Sequence, residues 1–415
     1  MTDRSTVRVG HLDVMHSRTR ITAIIGPVEL PPVDVVADRL AAMAAVGPNA
    51  RLGLHPSPVS NRWTFDPAAH RPTVRRVAPP RSPMDLYDPE PDAAAPAPEP
   101  DDHRPRPTSI ILAGDYLRTD HSHGLGEVAL ALAMHGVILG TIDPTDPNVW
   151  RPSGRRGSGI AAAAARTYGT DPRRLFALRS ALHRRPESAP PETIPWIPAR
   201  SGAAATMPPE TVARLRAWRD GNDPSVSMFA VIAAALHRGL AASGIEIDDV
   251  VTVTLDARRY LPKGRVPLGN FVSGLEFDLG RAPTPRRIHR ASAGATASGR
   301  PVANLALNAA RTRVGLRTGR QADTRWDRPR HPRARLLFSS LGVVPRTGRV
   351  PWRDTAAPFY AAHNDPTGPD GITVTWAIVE GAVIASASFH GNVFPRAQVQ
   401  EGLTRAVTDP LALLT

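Results

Sequence analysis

Runs of apolar residues broken by Pro, Gly and Asp divide this chain into short strand-like and helix-like pieces. Arg20 to Ile25 is a continuous, β-branched run that predicts a strand, and Pro32 to Ala45 predicts a helix. Val33, Val36, Leu40 and Met43 fall on one face of that helix, with Gly47-Pro48 behind it as a stop signal. The run Ile110-Ile111-Leu112-Ala113 leads into a polar, His-rich turn, Thr119 to Glu127, and then into a strongly apolar helix, Val128–Leu139. Asp171-Pro172 is a helix start, with Leu175, Leu178 and Leu182 as its apolar stripe. Further along, a helix at about 209–220 precedes a long apolar helix, Val226–Ala242, with Ser225 as its expected cap and Gly244 near its end. The Val- and Thr-rich stretch Val250–Leu255 reads as a strand. Gly371–Val379 and Ala382–Phe389 read as two strands joined by a turn at Glu380-Gly381, and a helix at about 396–407 closes the pattern.

Two stretches interrupt this alternation. Residues 78–107 are dominated by Pro, Ala and Asp and read as a solvated loop inserted within a domain. Residues 186–200 hold five prolines (Pro186, Pro190, Pro191, Pro195 and Pro198) and read as a linker. The expected division is therefore an N-terminal lobe at 1–185, a linker at 186–200 and a C-terminal lobe at 201–415. A chain of 415 residues exceeds one typical core, which agrees with two lobes. The alternation of strand-like and helix-like pieces predicts an α/β fold.

Composition narrows the function. The net charge of +13 suggests a polyanion partner, but Lys263 is the only lysine. The basic residues are almost all arginine in an Ala- and Pro-rich chain, a pattern of coding bias. Aromatic residues are 5%, without the aromatic–basic interleaving that stacks bases, so no nucleic-acid partner is expected. With no cysteine there is no disulfide, no thiolate nucleophile and no thiolate-bound zinc. The first ten residues lack the apolar core of a signal peptide, and no run nears the roughly 20 apolar residues of a membrane span. A cytoplasmic location is the expectation.

The chemistry concentrates at Thr119-Asp120-His121-Ser122-His123-Gly124-Leu125-Gly126-Glu127. An imidazole held where a polar turn enters a helix, with a carboxylate four residues on, suits a general base. No G-x-S-x-G elbow stands in a convincing context, and there is no cysteine, so direct transfer without a covalent enzyme intermediate fits better than hydrolase chemistry. His121, His123 and Glu127 also leave a metal reading open, but no third cluster of ligands completes it, and no metal is expected. His237, His363 and His390 read as ordinary histidines, and the Arg-rich stretch 151–186 as a solvated face that could also meet phosphates or an acidic protein surface.

These residues resemble the HHxxxDG signature of the CoA-dependent acyltransferase superfamily, which includes chloramphenicol acetyltransferase, nonribosomal peptide condensation domains and polyketide-associated acyltransferases. Three later segments share the resemblance, in the family's order. Thr254-Leu255-Asp256-Ala257-Arg258-Arg259-Tyr260-Leu261-Pro262 is similar to its "DLR…LP" segment, Gly269-Asn270-Phe271 to its "GNF" stretch, and Phe338-Ser339-Ser340-Leu341-Gly342 to its "fSNlG" segment. Departures stand beside the matches. Glu127 replaces the usual Asp, Val128 the following glycine and Ser122 the first histidine, while His121 sits one step earlier; the plant-type DFGWG motif is missing.

The resemblance implies two chloramphenicol acetyltransferase-like lobes, each a mixed sheet with packed helices, with an active-site tunnel between them. It implies acyl transfer from a CoA or carrier-protein thioester to a hydroxyl or amine, in secondary metabolism or lipid assembly. His123 would be the base, and Glu127 would pair with Arg258. Ser339 or Ser340 would supply an oxyanion hydroxyl, and Asn270 would line the substrate site or shape the lobe junction. No resident cofactor is implied, because acyl-CoA or acyl-phosphopantetheine arrives as co-substrate; an acyl or peptidyl carrier protein and a small-molecule acceptor are the implied partners. The altered motif also fits a non-catalytic module that binds a carrier protein, or an enzyme using the scaffold to cyclise or dehydrate a tethered intermediate.

Overall fold

The computed structural model describes residues 5–67, 73–87, 107–146, 149–150, 158–181, 192–262, 269–319, 327–344, 350–355 and 357–415. The chain divides into two compact units. The first comprises Met1–Arg156, Leu268–Asn270 and Val344–Asn364; the second comprises Gly157–Pro267, Phe271–Val343 and Asp365–Thr415. The expected boundary at 186 thus stands about thirty residues beyond the one that contacts define. Local packing explains the difference. Tyr168 donates its hydroxyl to Gly299 O at 2.7 Å and Arg166 donates to Leu261 O at 2.5 Å, which ties the 158–169 helical segment to the second unit.

Within the described residues, the first unit is built on a sheet of five strands. Their order is Phe359–Asn364, Arg20–Gly26, Tyr116–Ser122, Thr108–Ala113 and Thr73–Val77. All neighbours are antiparallel except the last pair. The helices Val33–Ala45 and Val128–Leu139 pack with it. Val36, Leu40 and Met43 are fully buried, which bears out the predicted face, whereas Val33 is only partly buried.

The Tyr116–Ser122 strand departs from expectation, because the polar stretch reads as a turn yet forms an interior strand, buried along most of its length. A buried carboxylate there is costly unless compensated. Asp120 is compensated fully. It forms an ion pair with Arg20, is 3.2 Å from Arg118, and accepts a 2.7 Å hydrogen bond from the Thr22 hydroxyl. Burial alone would raise the Asp120 carboxyl, but Arg20, then Arg118, hold it below its ordinary value.

The second unit carries a six-stranded mixed sheet, ordered Val272–Asp278, Val250–Asp256, Arg335–Val343, Gly371–Val379, Ala382–His390 and Arg200–Met207. Three neighbours at its centre, Val250–Asp256, Arg335–Val343 and Gly371–Val379, are parallel. Helices Met228–Ala242 and Arg396–Thr408 meet at small residues. A methyl on Gly239 would lie 2.5 Å from Gly402 O and 2.8 Å from Ala406 Cβ.

Other local expectations change. The cap of the long helix is Ser227, accepting from Ala230 N at 3.3 Å, while the Ser225 hydroxyl turns instead to Asp223 at 2.6 Å. Within the expected linker, Thr193–Pro195 is a strand paired with Asp327–Pro329. At the start of the expected loop, Pro83–Leu86 forms a 3-10 turn capped by Ser82, and Met84, Leu86 and Tyr87 are buried. The rest of that loop, from 88 to 106, lies outside the described residues. In the helix Arg173–Ala181, Leu178 is buried but Leu175 is half exposed, and Leu182 lies outside the described residues. A short helix, Pro410–Leu414, follows the predicted terminal one. No helix among the described residues is long and apolar enough to cross a membrane.

Candidate functional site

His123 is the first residue past the Tyr116–Ser122 strand and lies five residues before the first residue of the Val128–Leu139 helix that follows its loop. Its backbone is fixed on both sides. The His123 N–H donates to Thr19 O at 2.8 Å, and its carbonyl accepts from Gly126 N at 3.2 Å and from Asn270 Nδ2 at 2.9 Å. The ring is buried and stacks on His16, with centroids 4.3 Å apart and planes 16° from parallel. Burial, and then the charge His123 can acquire, hold the His16 ring well below the usual imidazole range.

Ser122 stands in the family's first-histidine place and has a local task. Its hydroxyl donates to Ser17 O at 3.0 Å and accepts from Gly124 N at 3.3 Å. His121, on the strand, points into the interior and is completely buried, with Nε2 3.3 Å from Gly126 O. Desolvation is the main reason its pKa falls to about 3, which keeps the ring neutral. Among the described residues no group of three His, Asp or Glu side chains is placed to hold a metal ion.

Glu127 occupies the N-cap of the Val128–Leu139 helix and is buried. A carboxylate there is favoured by the helix dipole and the unpaired first-turn N–H groups. Val128, in the usual glycine position, begins the helix and is accommodated as its first residue.

Asn270 works from within the same unit. Both amide hydrogens of its side chain are engaged, one with His123 O and one with Asp13 Oδ1 at 3.1 Å, and its backbone N–H reaches the same Asp13 oxygen at 3.1 Å. Its Oδ1 is closed off from solvent. With its donors spent on the protein, Asn270 supports the loop.

The remaining candidates lie in the second unit. Arg258 follows the Val250–Asp256 strand, and its Nη1 is 3.2 Å from Asp256, which also accepts from the Arg258 backbone N–H at 2.9 Å. Ser339 receives a 3.0 Å hydrogen bond from the Thr254 hydroxyl on the neighbouring strand. Ser340 is exposed at a bulge where the register shifts between Ser340 and Gly342, and Gly342 takes a left-handed φ of 72°. The bulge turns consecutive serines to different environments.

Three residues absent from the sequence-based set complete the surroundings of His123, namely Asp13, His16 and Arg51. Asp13 and His16 come from a five-residue helix, His11–Met15, and the turn after it. Arg51 follows the Pro48–Ala50 turn with a left-handed φ of 70°. No periodic or spacing signal marks them. The one local clue is Gly124, where a methyl would lie 2.8 Å from Asp13 O and Ser17 Cα, so only glycine lets these segments close together.

No protein-family model matches the sequence, and no curated protein matches it. Solved structures do. The trichothecene 15-O-acetyltransferase of Fusarium sporotrichioides aligns with a TM-score of 0.63 at 11% identity, over 99% of this chain and 96% of its own. The EpoB nonribosomal peptide synthetase cyclization-docking bidomain of Sorangium cellulosum aligns with a TM-score of 0.58 at 13% identity, over 99% and 85%. A second protein of F. sporotrichioides, solved with coenzyme A and T-2, aligns at 0.55 and 12% identity, over 96% of each chain. The chain thus has the fold of these structures, one that an acetyltransferase and a peptide synthetase cyclization domain share.

Proposed function

We propose that this protein is an acyltransferase that moves an acyl group from a CoA or carrier-protein thioester to a hydroxyl or amine, with His123 as general base. The observation that supports this most directly is the placement of His123. Its backbone is pinned by three hydrogen bonds and its ring by a stacking partner, on a scaffold shared with a protein solved in complex with coenzyme A.

The chemistry needs one base. His123 takes the proton from the acceptor's O–H or N–H as that atom attacks the thioester carbonyl. The tetrahedral intermediate then collapses, the carbon–sulfur bond breaks, and the proton goes to the departing thiolate. An imidazole with an ordinary pKa of ~6.5 can both accept and return that proton near neutral pH. The hydroxyls of Ser339 and Ser340 are the candidates for stabilising the oxyanion, and Ser340 is the exposed one. Glu127 and Arg258 complete the set as supporting residues. No resident cofactor enters this scheme, since the thioester is a co-substrate.

The test is thiol release from a panel of acyl-CoAs and acyl-pantetheines with pooled alcohol and amine acceptors. The protein has no cysteine, so it adds no background to a thiol-reactive dye. Release that collapses by about a hundredfold or more in His123→Ala supports the reading, at the scale of a lost general base. Equal release from both proteins removes His123 from the mechanism. A second reading, cyclisation or dehydration of a tethered intermediate, draws on the likeness to the cyclization bidomain; a product lighter than the simple transfer product by one water, or turnover without free thiol, would favour it.

A further inference from the structure

Three successive carbonyls in the His123 loop are each taken by a side chain from elsewhere in the first unit. His123 O accepts from Asn270 Nδ2 at 2.9 Å, Gly124 O from Arg51 Nη2 at 2.9 Å, and Leu125 O from Arg51 Nε at 2.5 Å. Both of those side chains converge on one carboxylate. Asp13 Oδ2 is 3.0 Å from Arg51 Nη2, and Asp13 Oδ1 accepts from the backbone and the side chain of Asn270, each at 3.1 Å. Asp13 and Asn270 are buried and lie 257 residues apart in sequence.

We propose that Asp13 is a positioning residue for the base, acting through Arg51 and Asn270, so that the Asp13–Arg51–Asn270 clamp sets where the His123 ring stands. This rests on the reading of His123 as the base. Over 123–127 the loop makes a turn, with Gly126 N on His123 O, and Arg51 and Asn270 supply further donors to its carbonyls from outside. The protein also accepts local cost to provide them. Arg51 holds a left-handed φ of 70°, which disfavours a side-chain-bearing residue, and this backbone is what delivers the planar guanidinium to two carbonyls and a carboxylate at once. Gly124 leaves the space into which the Asp13 segment closes. The carboxylate matters as a charge as well as an acceptor, because it fixes Arg51 in one orientation and, by holding one Asn270 amide N–H, turns the other toward His123 O. A displacement of about 1 Å at a reacting group can cost on the order of a hundredfold in rate, so a clamp two bonds removed from the base has leverage over turnover.

The test compares Asp13→Asn and Arg51→Lys with Arg39→Met in the full chain. Arg39 donates to Ile138 O at 2.7 Å near the end of the Val128–Leu139 helix and takes no part in the clamp, so its variant reports simple destabilisation. Two readouts are taken at pH 8 and below the unfolding range of every variant. The first is the ring 1H–13C signal of His123 in histidine-labelled protein, assigned by its disappearance in His123→Gln. The second is the kcat and KM of thiol release. The expected result is a moved or broadened His123 signal in both clamp variants and an unchanged one in Arg39→Met. Alongside it, kcat falls about tenfold or more with KM within about twofold in the clamp variants. An unmoved His123 signal together with unchanged kcat in the clamp variants, even with a lowered Tm, would overturn the proposal and leave the cluster structural. If the wild type releases no thiol, the acyltransfer reading fails by that assay while the ring signal still decides whether the clamp positions His123.

Discussion

The imidazoles of His16 and His123 lie face to face, 4.3 Å between centroids and 16° between planes. Burial, and then the proximity of His123, hold His16 well below the ordinary imidazole range, which keeps its ring neutral. The His123 ring therefore rests on a neutral aromatic face.

That arrangement predicts a graded effect of substitution at His16. A stacked aromatic pair contributes about 0.5–1.5 kcal/mol, which corresponds to roughly 2- to 12-fold in rate if the contact serves the base. His16→Ala should lower kcat by that amount, and His16→Phe, which keeps a flat face, should restore most of it. Unchanged kcat in His16→Ala would make the stack a passive packing contact.

Acid should unfold the first unit early. His121, His135 and His363 are buried, and desolvation lowers each to about 3. Unfolded, they take up a proton below ~6.5; folded, they do so only near 3. Their contribution is intact above pH 6.5 and is lost progressively as the pH falls from there towards 3. At pH 5 the loss is roughly 2 kcal/mol for each ring, from 1.36 kcal/mol per pH unit. Neither ring nitrogen of His363 has a hydrogen-bond partner among the described residues. His363→Leu should therefore be neutral or stabilising by about 1 kcal/mol at pH 7.5 and should flatten the acid slope. Urea unfolding at pH 7.5 and pH 5 measures both; an unchanged slope would show that His363 is protonated or hydrated when folded.

In the second unit, Gly239→Ala should be destabilising despite the better helix propensity of alanine. The new methyl would sit 2.5 Å from the Gly402 carbonyl and 2.8 Å from Ala406 Cβ, in contact with backbone that cannot rotate away. Overpacking of this kind costs about 1–3 kcal/mol, more than the ~1 kcal/mol gained from replacing glycine in a helix. Chemical denaturation of the variant checks the sign, and a stabilised protein would mean that the two helices can separate freely.

The amino-acid sequence determined the elements whose causes are local. Helix Val128–Leu139 has its predicted bounds because a wholly apolar run starts after Glu127 and stops at Gly140, which takes a left-handed φ of 77°. The hairpin Gly371–Val379 and Ala382–His390 was legible because Glu380 and Gly381 both adopt the positive φ that the turn requires. The motif order was enough to indicate the fold. Tertiary structure alone decided what depends on partners distant in sequence. Tyr116–Ser122 is a strand because Arg20, on the adjacent strand, neutralises an Asp120 whose charge would otherwise forbid burial. Ser227 rather than Ser225 caps its helix because Asp223 draws the nearer hydroxyl away. The Asp13–Arg51–Asn270 cluster left no mark on the pattern at all. Propensity and periodicity register only neighbours within a few residues, whereas the free energy of a buried charge is settled by whichever groups the fold brings within hydrogen-bonding distance.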